Sequence, residues 1–214
     1  MKHSPLLILI LALAAAASAA NVIFPPGSGV MNVKDYGAKG DGITDDTGAF
    51  RKALKAVQMH FQIIYVPNGT YLVTDTISWG AWITLQGQNR GQTIIRLKDN
   101  CPGYADPARP KPVMHAAMPG NKYGNDSWAN AAFDNYVLNL TIDTGKGNPG
   151  AVALRYTTHN QGVVEEVSLR SGDGKGVMGL DLRTGASTSV WITAASRRSS
   201  MWAATGRIRW PCWP

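Results

Sequence analysis

Short apolar segments separated by glycine set the hydrophobic pattern of most of the chain. Residues 63–66 and 70–73 are two such segments, and Pro67, Asn68 and Gly69 stand between them. Runs of β-branched and aromatic residues bounded by turn residues are typical of β-strands. The pattern continues downstream through residues 76–79, 82–86 and 93–97. No segment after Val57 has a convincing helical period.

The later strands form a repeat. Residues 139–145 match residues 166–172 at an offset of 27, and residues 150–156 match residues 176–182 at an offset of 26. A period of this length, built from short strands and glycine turns, indicates a solenoid whose coils stack on one another. The successive coils then run as parallel strands about 4.8 Å apart.

This alignment predicts which side chains lie beside each other. Ile142 should lie against Leu169, and Leu154 against Leu180. Asp143 should pair with Arg170, and Arg155 with Asp181. Each ion pair would stabilise the stack by about 0–1 kcal/mol if exposed.

The only helical pattern follows a short segment, residues 30–36, that suits a strand. After a glycine-rich turn, Asp45 and Asp46 offer carboxylates to the first amides of a helix. Ala49, Phe50, Ala53, Leu54 and Val57 then form one apolar stripe.

The stretch DYGAKGDGITDDTGAFRKAL (residues 35–54) resembles the N-terminal opening of right-handed parallel β-helix proteins of the pectate-lyase superfamily. That superfamily includes polygalacturonase-like and exo-β-1,3-glucanase-like enzymes. The resemblance implies an all-β, single-stranded right-handed parallel β-helix with an N-terminal capping α-helix. It extends from about residue 30 to residue 182, and it carries over no catalytic residue.

Both termini differ from this β-helix region. Residues 1–20 carry Lys2, an apolar run and small residues at 17–19, which predicts a secretory signal peptide and an extracellular or periplasmic protein. No other segment is apolar enough to span a bilayer, so we expect no stable membrane association. Residues 183–214 hold four of the seven tryptophans, five arginines and no acid. We expect an aberrant, disordered tail, from a frameshift or as a genuine irregular end, after an incomplete β-helix domain over residues 21–182.

The formal charge of +7 comes mostly from these termini. Lys2 and the five tail arginines leave +1 for residues 6–182, so nucleic acid is not an expected partner. Cys101 and Cys212 are the only cysteines, and a disulfide between them is one alternative in an exported protein. No His or Cys cluster has metal-site spacing, so neither a metal nor another cofactor is expected.

Residues 98–134 hold five prolines and interrupt the strand pattern. We interpret this segment as a long loop excursion from one coil. Its Tyr104, His115, Tyr123 and Trp128 could form part of a sugar-binding wall. The alternative is a loop that merely covers the sheet.

Carboxylates are the side chains most relevant to polysaccharide cleavage, because glycoside hydrolysis uses two of them about 5–10 Å apart. The catalytic candidates are Asp143, at a strand end, and Asp173, in the turn that follows the next strand. The alternatives are the ion pair for Asp143 and a turn role for Asp173. Glu165 and Glu166 are expected to point to opposite faces of a strand.

The sequence therefore predicts a secreted, carbohydrate-active β-helix protein that degrades a polysaccharide, as a glycoside hydrolase or a pectate-lyase-like enzyme. The 214 residues would form a fragment that lacks the full active site. The alternative is a non-catalytic carbohydrate-binding or adhesive β-helix. The sequence predicts no oligomeric state.

Overall fold

The computed structural model describes residues 21–57, 61–116, 133–182 and 190–194. Within these ranges the chain is mostly β-structure, with one α-helix, α1 (Thr47–Lys55), and a 3-10 turn at Val33–Tyr36. The strands are β1 (Met31–Asn32), β2 (Asp41–Asp45), β3 (Gln62–Val66), β4 (Gly69–Val73), β5 (Ile77–Trp79), β6 (Ile83–Gly87), β7 (Thr93–Leu97), β8 (Lys111–Ala116), β9 (Phe133–Leu138), β10 (Thr141–Asp143), β11 (Ala151–Tyr156), β12 (His159–Arg170), β13 (Met178–Asp181) and β14 (Val190–Ala194).

Parallel pairing arranges these strands as stacked coils with three faces. Sheet A has the order β1-β3-β6-β9-β12, with β14 also paired to β12. Sheet B has the order β2-β4-β7-β10, and β10 pairs with the last residues of β12. Sheet C has the order β5-β8-β11-β13. A coil therefore passes through sheets A, B and C in turn before the next coil begins above it.

The predicted register is confirmed. Ile142 lies opposite Leu169, and Leu154 lies opposite Leu180. The Arg170 Nε atom is 2.8 Å from an Asp143 carboxylate oxygen, and the Arg155 Nε atom is 3.1 Å from one of Asp181. The offsets of 27 and 26 residues thus correspond to one coil in sheets B and C respectively.

The core consists of columns of apolar side chains inside the coils. One column in sheet B joins Tyr71, Ile95, Ile142 and Leu169, and each of these residues is at most 5% exposed. Full burial of such a side chain stabilises a fold by about 1.5–3 kcal/mol. Because each coil is open above and below, it depends on its neighbours to complete this burial.

Helix α1 packs its apolar stripe on the first coil. Ala49, Phe50 and Ala53 are buried, and the Phe50 ring meets the Tyr71 ring edge to face at 5.6 Å. On its other side, Arg51 contacts Asp75 at 2.6 Å. The helical stripe was predicted correctly.

The capping groups differ in part from the prediction. Asp46 precedes the helix, but its carboxylate accepts from the Lys39 and Gly40 amides, at 2.7 and 3.0 Å, rather than from the helix. Asp45 instead accepts from the Thr47 amide at 3.0 Å. Asp46 therefore holds the glycine-rich turn against the start of α1.

The predicted strand over residues 30–36 is wrong beyond its first part. Only Met31–Asn32 pairs with sheet A, and the chain then forms the 3-10 turn. The Asn32 side chain accepts from the Lys34 amide at 3.0 Å, and Gly37 ends the turn with a φ of 100°. An asparagine that bonds its own backbone in this way competes with strand pairing.

Residues 98–134 are not one loop excursion, because β8 (Lys111–Ala116) continues sheet C. Strand β8 was not predicted because it contains Pro112, and a proline lacks the N–H group that a strand residue donates to its neighbour. Pro112 pairs with Val152, but on the other side β5 begins only opposite Met114. Its missing N–H group therefore faces no strand of the first coil.

Strand β12 breaks the alternation that was expected at Glu165 and Glu166. Glu166 has a φ of 52°, and the register with β14 shifts between Glu165 and Val167. Val164 and Val167 are both buried, so both glutamates lie between two inward-facing residues. The prediction that they face opposite sides of the strand is therefore wrong.

The tail after residue 182 contributes one strand to the stack. Val190–Ala194 pairs in parallel with β12, so these five residues differ from the disordered tail that was expected. A short run with valine, isoleucine, threonine and tryptophan suits a strand. Residues 183–189 and 195–214, like the predicted signal peptide, lie outside the described residues.

Asp75 should make the fold sensitive to acid. Burial works to raise its pKa, but hydrogen bonds from Lys111 and Arg51 lower the pKa from 3.8 to about 2. A lowered pKa stabilises the folded state above the unfolded pKa, and this stability is lost as the pH falls through the folded value. Because the Asp75 side chain is 42% exposed, we expect Asp75→Asn to cost about 1 kcal/mol at neutral pH.

Urea unfolding at neutral pH and at about pH 3 measures this effect, because the wild type should lose more stability on acidification than Asp75→Asn. Equal losses in the two proteins would contradict the role given to Asp75.

Candidate functional site

Asp143, a predicted catalytic residue, ends β10 on the outer face of sheet B. Its carboxylate accepts from Arg170 and from the Gly145 amide, each at 2.8 Å, and its side chain is 8% exposed. The register also places Arg96 beside it. The ion-pair alternative is confirmed, and a catalytic role for Asp143 stays a prediction.

Asp173, the other predicted catalytic residue, lies in the turn between β12 and β13. Its carboxylate accepts from the Gly147 and Lys175 amides at 2.8 and 3.0 Å, and from the Ser171 hydroxyl at 3.2 Å. Partial burial works to raise its pKa, but these hydrogen bonds hold the pKa of Asp173 below its usual value. Asp173 thus has the predicted turn role and ties two coils together, while its catalytic role stays a prediction.

Tyr104 does not form an exposed sugar-binding wall. It is 0% exposed, its hydroxyl donates to the Pro112 carbonyl at 3.1 Å, and the Lys111 ammonium lies 4.7 Å from its ring centre. The prediction for Tyr104 is wrong because the corner between β7 and β8 folds into the core. Tyr123 and Trp128 lie outside the described residues.

Other aromatic side chains line the corner where each coil enters sheet A. Phe61 is 67% exposed, and the Trp82 and Phe133 rings stack at 5.8 Å and 11°. Phe61 and Trp82 have φ values of 60° and 61°, which are unusual for aromatic residues. This aromatic corner was not predicted from sequence, because these residues were expected within or beside strands.

A column of polar side chains crosses sheet C. Parallel pairing puts Ser78 beside His115, His115 beside Arg155, and Arg155 beside Asp181. Alternation places them on the opposite face from Met114 and Leu154, which are core residues. We call His115, Arg155 and Asp181 the sheet C column.

The sheet C column is charged and largely closed to solvent. His115 is 2% exposed and Asp181 1%, whereas the Arg155 side chain is 18% exposed. Besides Asp181, Arg155 contacts the Pro110 carbonyl at 3.4 Å. Burying charged groups is costly unless they are paired, so such clusters are frequent at functional sites.

The column combines three useful chemical groups at short range. Neighbouring strands lie about 4.8 Å apart, so the His115 and Asp181 backbones are about 10 Å apart with Arg155 between them. Imidazole exchanges protons near neutral pH, and guanidinium binds carboxylates in a bidentate manner. This arrangement could hold an acidic sugar and move a proton.

From the sequence, His115 was expected only in a sugar-binding wall, and Asp181 was expected only in an ion pair with Arg155. The repeat aligned Arg155 with Asp181. Because Pro112 argued against a strand at β8, the sequence did not indicate that His115 lies beside Arg155. Recognising β8 as a coil strand would have found the complete set.

Two other carboxylates, Asp134 and Glu165, lie on sheet A. Glu165 pairs with Leu138, four residues beyond Asp134. With about 3.3 Å per residue and 4.8 Å per strand, Asp134 and Glu165 are about 14 Å apart. This separation exceeds the range for a pair of glycosidase carboxylates.

No cluster of metal-binding side chains occurs within the described ranges. Cys101, the cysteine that the described part of the chain contains, is buried with a free thiol. Cys212 lies outside those ranges. Within the described residues the α-helix is α1, and its nine residues are too few to cross a membrane.

Comparison with known proteins assigns the chain to a family. Residues 30–199 match the family described as rhamnogalacturonase A/epimerase, pectate lyase-like. A glucan 1,3-beta-glucosidase of Cochliobolus carbonum is 28% identical over 153 residues, which are 65% of this chain and 18% of that protein. Alginate lyase 7 of Azotobacter vinelandii is 43% identical over 76 residues, which are 32% of this chain and 9% of that protein.

A solved structure has the same fold. The ORF18 protein of Geobacillus virus E2 matches with a TM-score of 0.52 and 23% identity, over 67% of this chain and 26% of that one. The chain therefore spans a small part of the length of these similar proteins. Because the family model matches most of the chain and the strands stack as parallel coils, the chain belongs to the rhamnogalacturonase A/epimerase, pectate lyase-like family.

Proposed function

We propose that this protein acts on a polysaccharide and that its chemistry takes place at the sheet C column. The observation that carries this proposal is the register of His115, Arg155 and Asp181 on adjacent strands, with His115 and Asp181 almost fully buried. The family includes polysaccharide-acting relatives, which supports the substrate class.

The side chains favour proton abstraction from an acidic sugar over hydrolysis. A guanidinium that binds a uronate carboxylate stabilises the charge that develops when the adjacent carbon loses its proton. His115 would accept that proton as the general base. The electron pair of the broken C–H bond would then expel the glycosidic oxygen on the neighbouring carbon, which takes a proton from water, or the carbon would take a solvent proton on its other face to give an epimer. Arg155 has five N–H groups, so its contacts with Asp181 and Pro110 leave donors for a substrate. Asp181 would keep Arg155 oriented.

Access to the column is through Arg155. It is the member whose side chain is partly exposed, at 18%. A glycan would contact this guanidinium first, and the nearly enclosed His115 lies on the strand beside it.

The second candidate function is a non-catalytic carbohydrate-binding or adhesive β-helix. The observation in its favour is that Asp143 and Asp173 are both engaged in contacts that hold the coils together. The fold shared with a viral protein also fits this function.

We extend the proposal to the remaining parts of the chain. Residues 1–20 direct secretion, and α1 closes the N-terminal end of the β-helix. Tyr123 and Trp128 contribute to sugar binding. Asp143 and Asp173 remain proposed alternatives for the catalytic carboxylates.

A panel of polysaccharides tests the proposal with the full chain. Incubation with alginate or polygalacturonate should produce unsaturated uronate, detected by its ultraviolet absorbance, or solvent-hydrogen exchange at the uronate carbon if the product is an epimer. Reducing ends released from a neutral glucan without either signal would favour a hydrolase. Binding without any product would favour the adhesive alternative.

A further inference from the structure

The segment before β1 forms a pocket with the outer side of sheet A. The pocket has a volume of about 480 Å³ and is lined by residues 24–30 together with Asn32, Asp35 and Tyr65. A concave site of this size, with apolar walls and a few polar groups, suits one or two rings of a small ligand. It lies on β1 and β3, whereas the sheet C column lies on β8, β11 and β13.

The wall of this pocket is fixed in place. The Val22 amide donates to the Gln88 carbonyl at 2.8 Å, and the Tyr65 hydroxyl donates to the Val22 carbonyl at 2.9 Å. The Phe24 ring meets the Tyr65 ring edge to face at 5.1 Å. These contacts fix the Phe24 and Tyr65 rings in the wall of the pocket.

The pocket also presents hydrogen-bonding groups that the described part of the protein does not use. The Asp35 carboxylate makes no hydrogen bond or ion pair with any described residue, and Asp35 is exposed. Asn32 uses its Oδ1 atom for the Lys34 amide, at 3.0 Å, which leaves its amide N–H groups. A free acceptor and a free donor therefore line the same space.

These groups define the chemistry of the ligand. Carboxylate acceptors and amide donors match sugar hydroxyl groups, which both donate and accept. Aromatic rings match the apolar C–H face of a sugar. Because Asp35 is the charged group among the lining residues, an anionic ligand would be repelled.

We propose that this pocket binds a neutral sugar unit of a glycan. The pocket would anchor a neutral part of the polymer, away from the column that acts on the acidic unit. Only the choice of a glycan as ligand rests on the function proposed above.

Titration calorimetry with a short neutral gluco-oligosaccharide tests the proposal, and an oligogalacturonate of equal length serves as the anionic probe. The wild type should bind the neutral probe at least about tenfold more tightly than it binds the anionic probe. Asp35→Asn should weaken binding of the neutral probe by about tenfold or more, because a charged acceptor is lost. The same change should not weaken binding of the anionic probe, since the repulsion disappears.

Lys34→Ala is the matched control, because Lys34 is the exposed neighbour of Asp35 and does not line the pocket. It should bind the neutral probe like the wild type. The proposal is overturned if the wild type binds neither probe, if it prefers the anionic probe, or if Asp35→Asn and Lys34→Ala behave alike.

Product formation from alginate or polygalacturonate separates this inference from the proposed function. If Asp35→Asn weakens binding of the neutral probe while the wild type forms no product, the pocket proposal is supported and the proposed reaction is contradicted. If product forms while Asp35→Asn binds like the wild type, the reaction stands and the pocket fails.

Discussion

Replacement of His115 by asparagine is expected to lower the rate of product formation from an acidic polysaccharide by about 100-fold or more. His115 lies beside Arg155 in sheet C, where the guanidinium would hold the uronate carboxylate. Asparagine keeps a polar group at this buried position but cannot accept a proton near neutral pH. Steady-state rates by ultraviolet absorbance, with thermal unfolding to verify the fold, measure the effect.

The pH dependence of the rate distinguishes a base from a structural histidine. The wild-type rate should fall on acidification as an imidazole becomes protonated, and His115→Asn should lose this dependence. The competing prediction assigns catalysis to Asp143 or Asp173. If Asp143→Asn or Asp173→Asn abolishes turnover while His115→Asn retains it, the sheet C column is not the site.

Gly87→Ala is expected to lower the free energy of unfolding by about 3 kcal/mol or more. A Cβ atom at Gly87 would lie 2.2 Å from the Asn139 carbonyl oxygen and 2.7 Å from the Leu140 Cβ atom. Both atoms belong to the next coil, and one of them is backbone, so no side-chain rotation relieves the clash. The two coils must separate locally, which disturbs the pairing of β6 with β9.

Gly48→Ala is the matched control for this substitution. Gly48 lies in α1, and a Cβ atom there would meet nothing within 4 Å. Alanine is a better helix former than glycine by up to about 1 kcal/mol, so Gly48→Ala should leave stability unchanged or raise it. Urea unfolding of both variants decides the matter, and equal midpoints would show that the coils are less closely packed than described.

The repeat made the sheet B and sheet C registers predictable from sequence. Asp143 opposite Arg170 and Arg155 opposite Asp181 followed from aligning two stretches of similar residues. Helix α1 was predictable from its apolar stripe, which packs on Tyr71. These features depend on side-chain periodicity, which a sequence displays directly.

The features that escaped prediction depend on which groups the surrounding coils leave unpaired. Pro112 is tolerated because β5 does not extend to it, and the start of β5 cannot be judged from the proline itself. Glu166 takes a positive φ where the register between β12 and β14 shifts, and no side-chain periodicity announces such a shift. Tyr104 is buried by a corner whose path depends on the coil above, so its exposure could not be inferred from its loop-like sequence.

The candidate site was only partly predictable for the same reason. Arg155 and Asp181 were correctly paired, but their sequence did not indicate that Asp181 is only 1% exposed. His115 joins them only through β8, which the sequence analysis did not recognise. Asp143 and Asp173 were predicted from their carboxyl groups and positions alone, and the structure adds that these carboxylates bind Arg170 and backbone amides.

The one-coil register has a consequence for how such a chain can change in length. Removing one residue from a strand would turn its inward-facing side chains outward. Removing the 26 or 27 residues of a whole coil would leave every inward-facing residue opposite an inward-facing residue of the next coil. Duplication or loss of genetic segments should therefore be tolerated best in multiples of a complete winding. Variants of this protein in nature are expected to differ by such units, or by insertions at the corners.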